Sequence, residues 1–356
     1  MLQLQTKAHR FAVLDGLRGV AALVVLMLHL VQQHDLTALP FAGLAVDFFY
    51  LLSGFVVSFA YERRLQTGAM DLASFARIRI ARLYPLILLG TTMGIALAFL
   101  DATFKLDVTY RQIALSGTLA LLLLPSYVFP QWETAYPFNM ASWSLTFELF
   151  VNAVYAAIVP HLTSRRLVIL TACSAVVLAW VAFMNYGIYG GNNQGNFAYG
   201  FGRVMFPFFA GVLLYRFRLS QHFASWIGLS LILGFAALLL VPLQMSGLFG
   251  LLYVILLFPA IIAIGAAVEP GPRLVRGCRF AGELSYPLYI LQGPVLRIGE
   301  ELLKHWHFGQ IGCWLFGITE AGIVAEIAYL ALKFYDKPLQ DYFKVRGRSA
   351  PALQDF

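Results

Sequence analysis

The chain has 356 residues, 60% of them hydrophobic and 12% charged, with a formal net charge of +7. Soluble domains carry about 25% charged and roughly 45–50% apolar residues, so a soluble enzyme, a disordered chain and a nucleic-acid-binding domain do not fit. The basic residues form no single block; they fall in short clusters between apolar runs, as in multi-pass membrane proteins.

A membrane span needs about 20 apolar residues to cross roughly 30 Å of hydrocarbon. The candidates in chain order are 12–33, 41–61, 80–100, 113–128, 143–160, 167–185, 203–217, 223–242, 248–268, 281–303 and 311–333. Arg18 and His29 lie inside the first run and no A-x-A-like site follows it, which separates it from a cleaved signal. If every run except 113–128 crosses from a cytoplasmic N-terminus, nineteen Lys and Arg fall inside and four outside. If 113–128 also crosses, the balance becomes nine against fourteen, and the positive-inside rule selects the first arrangement. The expected fold is all-α: a polytopic helix bundle of about ten transmembrane helices in the plasma (inner) membrane. A re-entrant or interfacial segment lies near 113–128 and both termini are cytoplasmic. The expected organisation is an N-terminal segment 1–10, one transmembrane domain 11–335 and a tail 336–356. The cysteines Cys173, Cys278 and Cys313 are far apart, in no metal-binding spacing, and read as apolar packing.

Ionisable groups at membrane depth cost at least ~2.5–3.5 kcal/mol each on insertion scales, so each is a candidate site residue. In the first span, Asp15 and Arg18 stand three apart and suit an ion pair. Arg18 and His29 are eleven residues apart, which returns to the same helix face about 16.5 Å along the axis. A snorkelling Arg18 and a packed His29 describe the same pattern without function. Asp47 precedes a small Ser53-Gly54 pair that also suits close helix packing. Arg79 and Arg82 flank one helix face before span three, as a phosphate clamp or a topology anchor. Glu148 follows Trp143 at the start of span five, and Ser285, Tyr286 and Tyr289 open span ten.

These segments together resemble the acyltransferase-3 family of integral membrane O-acyltransferases. LDGLRGVAALVVLMLH resembles its Arg-x10-His signature at Arg18 and His29. DFFYLLSGF is similar to FFxxSGF, RIARLYP to its RxxR and YP motif at Arg79 and Arg82, WSLTFE to WSLxxE, and SYPLY to SYxxY. Tyr335-Asp336-Lys337-Pro338 is similar to a terminal E-x-P with Asp for Glu. Gln292 stands where the family often has histidine. The resemblance implies transfer of an acyl group, usually acetyl, from cytoplasmic acyl-CoA. The acceptor it implies is a hydroxyl of a glycan, a lipid-linked sugar or a small metabolite. It also implies a stand-alone form, without the extracytoplasmic SGNH domain of many members, and no tightly bound cofactor.

Counting depth from the span ends at 1.5 Å per residue puts His29, Asp47 and Glu148 in the outer half, and Arg18, Arg79, Arg82, Ser285 and Tyr286 at the inner face. In that frame the arginines hold the donor's phosphates and an extended pantetheine arm carries the thioester outward. His29 serves as general base, with Asp47 or Glu148 as its orienting carboxylate. Direct transfer and an acyl-histidine intermediate both remain open. A transporter or flippase for a sugar- or lipid-linked solute is the rival reading, because buried charges also mark solute pathways. The chain shows no internal repeat to support it.

Overall fold

The computed structural model describes residues 11–34, 39–105, 108–218, 223–241, 247–303 and 309–348. The expected segment 1–10 and the end of the expected tail lie outside them. The order is α1 (Ala12–Gln33), α2 (Ala45–Gln66), α3 (Leu72–Lys105), α4 (Tyr110–Leu121), α5 (Ser142–Ile158), α6 (Ser164–Met184), α7 (Tyr199–Arg216) and α8 (Ser225–Leu239). Then come α9 (Gly247–Leu252), a π-helical turn, α10 (Phe258–Ala267), α11 (Pro272–Leu303), α12 (Gln310–Ala331), a second π-helical turn (Leu332–Asp336) and α13 (Lys337–Arg348). Among the described residues the architecture is all-helical, and seven helices are long and apolar enough to cross a membrane. Helices α7, α8 and α11 fall outside that set. The first and last carry charges, and α8 has only 15 residues.

Side chains such as Phe183, at 78% exposure, and Val176, at 70%, cover the outside of the bundle. Apolar surface on the outside as well as the inside is the signature of a lipid-facing bundle rather than a water-soluble one. The starts of the helices follow local chemistry. Asp71 caps α3 by accepting the Ser74 N–H at 2.8 Å, and its bonds from Ser74 hold its carboxyl below the usual range. Thr109 and Gln112 form a capping box at α4.

Helices α1 and α11 pack side by side and run the same way. Gly19 meets Ala281, Arg18 reaches the Gly282 carbonyl, and Gln33 faces Gly299. A methyl added at Gly19 would stand 2.5 Å from the Ala281 Cβ, so glycine permits this approach. At Gly54 of α2 a methyl would collide with the Phe208 carbonyl of α7.

Helix α4 has 12 residues, about 18 Å at 1.5 Å per residue, well short of the roughly 30 Å of hydrocarbon. After it the chain doubles back through Leu123, at φ 56°. Ser126 then lies beside Ser116, their hydroxyls 2.7 Å apart. Phe129 packs with Val108 and Ile113 at the start of α4, so the segment leaves near where it entered.

Helix prolines free carbonyls that polar side chains then take up. Pro294 has no N–H for the Ile290 carbonyl, which instead accepts from the Asn139 amide at 3.0 Å. Pro85 frees the Ala81 carbonyl, and the Gln340 amide donates to Ala81 and Arg82 at 3.3 and 3.0 Å. Both contacts brace helices that line the site.

Candidate active site

Two cavities lie one above the other, taking the end where α1 starts as the lower. The lower, of about 150 Å³, is lined by Arg18, Arg79, Arg82, Glu148, Ser285 and Tyr286 among others. Each arginine has its own carboxylate. Arg18 Nη2 donates to Asp15 Oδ1 at 2.8 Å and to the Gly282 carbonyl at 3.0 Å. Arg79 Nη2 donates to Glu148 Oε1 at 2.7 Å, and Arg82 lies 3.6 Å from Asp336. The Nε–H groups of Arg18 and Arg79 are buried and bonded to nothing. Three arginines lining one cavity, two of them with an unbonded Nε–H, are what an oxyanion would complement.

Around them, Ser53 donates to Glu148 Oε1 at 2.8 Å, fixing the carboxylate that holds Arg79. Ser285 donates to the Gly282 carbonyl at 2.7 Å, and the Tyr286 hydroxyl donates to the Leu83 carbonyl. Tyr289 shares a hydrogen bond with Ser144, 2.8 Å between oxygens. The lower cavity thus gathers the six residues expected to hold the donor, Arg18, Arg79, Arg82, Ser285, Tyr286 and Tyr289, together with Glu148, which the sequence had assigned to His29.

The upper cavity, of about 990 Å³, holds His29 together with Gln32, Trp132, Gln292, Arg297 and Glu300. Gln32, one turn along α1, lines the same cavity beside His29. The Gln292 amide donates to the Tyr289 carbonyl at 3.0 Å, and its oxygen is buried without a partner.

The two carboxylates expected beside His29 go to arginines instead. Glu148 is a lower-cavity residue because α5 does not begin at the surface. Its first residue, Ser142, is 2% exposed, beneath the returning segment 122–141, so depth counted from the helix start comes out too shallow. Asp47 makes a two-pronged pair with Arg203 of α7, Oδ1 to Nε at 2.8 Å and Oδ2 to Nη2 at 2.6 Å. Arg203 also stacks over Trp143 at 5.3 Å. Arg203, one of the four basic residues placed outside the membrane by the charge count, is 4% exposed. Asn139 was also missed, since its role exists only through Pro294 on a distant helix, which frees the Ile290 carbonyl 151 positions away. Among the described residues no group of three or more His, Cys, Asp or Glu stands together as a metal site would require.

A bundle of apolar helices around a polar two-chamber core is a multi-pass membrane protein, and comparison with known proteins gives its class. Residues 11–330 match the model of an acyltransferase domain. The chain belongs to the acyltransferase-3 family and is a membrane acyltransferase. It is similar to "Protein 2 in picA locus" of Rhizobium radiobacter, 38% identical over 184 residues, which is 49% of this chain and 95% of that protein. No solved structure matches it.

Proposed function

We propose that the protein transfers an acyl group, acetyl in the simplest case, from cytoplasmic acyl-CoA to a hydroxyl of a glycan, a lipid-linked sugar or a small metabolite. The observation that carries this reading is the stacking of an arginine cavity below a histidine cavity. Arg18 and His29 occupy one face of α1, about 16.5 Å apart along the axis at 1.5 Å per residue, about the reach of a pantetheine arm. Arg18, Arg79 and Arg82 hold donor phosphate, with Ser285, Tyr286 and Tyr289 lining the path of the arm. In the upper cavity His29 takes the proton of the acceptor hydroxyl as its oxygen attacks the thioester carbon. The C–S bond breaks, and His29 returns the proton to the thiolate, leaving an ester and free CoA. Glu148 acts by holding Arg79, and Asp47 by fixing Arg203 against Trp143.

The same reading puts both termini and the arginine cavity on the cytoplasmic face, with ten crossings in the plasma membrane. The shared direction of α1 and α11 supports it, because an extra crossing by α4 would reverse α11. Family membership leaves the flippase reading unfavoured. The test is to compare extracted glycans and metabolites by mass spectrometry from cells expressing the wild type and His29→Ala. An acyl-sized mass increment should appear with the wild type alone, at equal protein levels. Near-wild-type acylation by His29→Ala would remove the proposed base.

A further inference from the structure

The two chambers meet across a single layer of side chains. Ala141, immediately before α5, lines the upper cavity, while Ser144 and Leu145 in its first turn line the lower. On α11, Gln292 and Gly293 line the upper and Tyr289, one turn back, lines the lower. One helical turn rises 5.4 Å, the thickness of one side-chain layer.

That layer is closed by Ser144 and Tyr289, whose hydroxyls are 2.8 Å apart. They are 4% and 6% exposed and bridge α5 to α11. Phe49 of α2 packs edge-on against the Tyr289 ring at 5.7 Å. Tyr50 donates to the Ser144 carbonyl at 3.2 Å, tying the same layer to α2 a second time.

We propose that the Ser144–Tyr289 pair is the partition between the chambers and sets the size of the acyl group that reaches His29. The inference rests on the acyl-CoA reading above, because a thioester carried from the arginines to His29 has to cross this layer. The pair is suited to open. A hydroxyl both donates and accepts, and Ser144 already has an alternative acceptor in the Ala141 carbonyl at 3.2 Å. Parting the two therefore strands no serine donor, and it frees the Tyr289 hydroxyl to donate to a passing carbonyl oxygen. Phe49 limits how far the Tyr289 ring can turn, so a two-carbon group passes where an aromatic acyl group, broader than the thin end of the arm that carries it, is stopped.

Two measurements test this, one of them independent of catalysis. In a background with Cys173, Cys278 and Cys313 replaced by alanine, Leu83→Cys places a thiol in the lower cavity. An impermeant maleimide is applied from the His29 side of sealed vesicles of one orientation. The thiol should be protected when Tyr289 is present and should label at least tenfold faster with Tyr289→Ala. Equal labelling rates in the two backgrounds overturn the partition. In the second measurement, kcat/KM is compared for acetyl-CoA and benzoyl-CoA. The benzoyl-to-acetyl ratio should rise at least tenfold in Tyr289→Ala, and an unchanged ratio overturns the size filter. Tyr289→Phe, which removes only the hydroxyl, is carried through both with the same direction expected, and decides alone if the alanine variant does not accumulate. A wild type that transfers no acyl group would sink the functional reading while the labelling still tests the partition. Transfer without the labelling difference would sink only the partition.

Discussion

Arg79 and Glu148 should behave as one unit in donor binding. Their side chains are 14% and 16% exposed and share one bond of 2.7 Å, and Ser53 donates to the same carboxylate oxygen at 2.8 Å. Arg79→Ala removes the guanidinium that faces the cavity. Glu148→Ala leaves it in place but unanchored, with its Nε–H already unbonded. Either loss forfeits a charge-assisted hydrogen bond worth about 1.5–3 kcal/mol, or roughly 10- to 100-fold in affinity at 1.4 kcal/mol per decade. The double variant loses that bond only once. Its cost should fall short of the summed single costs by about the same 1.5–3 kcal/mol, where independent sites would add to within ~0.5 kcal/mol. Calorimetric titration of the four purified proteins with acetyl-CoA measures each Kd. Additive losses would show that the pair does not act together on the donor. An unchanged Kd for Arg79→Ala would place the donor phosphates elsewhere and leave Arg79 as a topology anchor.

Cysteines substituted for Tyr110 and Pro130, both exposed, should react alike with an impermeant maleimide on intact cells; labelling of one and protection of the other would show that α4 crosses. Asp47→Asn should lower thermal stability by about 3–5 kcal/mol by leaving Arg203 buried without its counter-charge, and the pair replacement Asp47→Asn with Arg203→Met should recover part of that loss in the same thermal melt. Asn139→Leu strands the Ile290 carbonyl that Pro294 freed, at a cost of about 1–3 kcal/mol, read as a drop in melting temperature of the purified protein.

The bounds of α1 were legible in the sequence almost to the residue, because its apolar run and its helix coincide. Helix α11 was not: it begins at Pro272, nine positions before the apolar run, since Arg273, Arg276 and Arg279 continue the helix below the hydrocarbon. The Asp15–Arg18 pair followed from three-residue spacing alone and is present at 2.8 Å. Partners on other helices had no such signal. Glu148 is bonded to Arg79, 69 positions away, and Asp47 to Arg203, 156 away. Spacing along one helix says nothing about which distant helix a carboxylate will face. The doubling back after α4 could be suspected from charge counting, but its Ser116–Ser126 contact depends on the turn at Leu123, where leucine gives no cue for positive φ.

The contact between α1 and α11 also has a consequence for how the protein is made. Arg18 and the Gly282 carbonyl are separated by 264 positions. At synthesis rates of about 5–20 residues per second, the first helix waits roughly 13–50 s for its neighbour. Throughout that interval Arg18 sits in a nascent span with Asp15 as its counter-charge on the same helix, a polar load of at least ~2.5–3.5 kcal/mol on insertion. The arginine cavity is completed only when the tenth apolar stretch arrives, and a ribosome that stops before Gly282 leaves Arg18 without the Gly282 carbonyl and the cavity without Ser285 and Tyr286. A chain cut short before Gly282 should therefore turn over faster than the full chain, as pulse-chase labelling would measure.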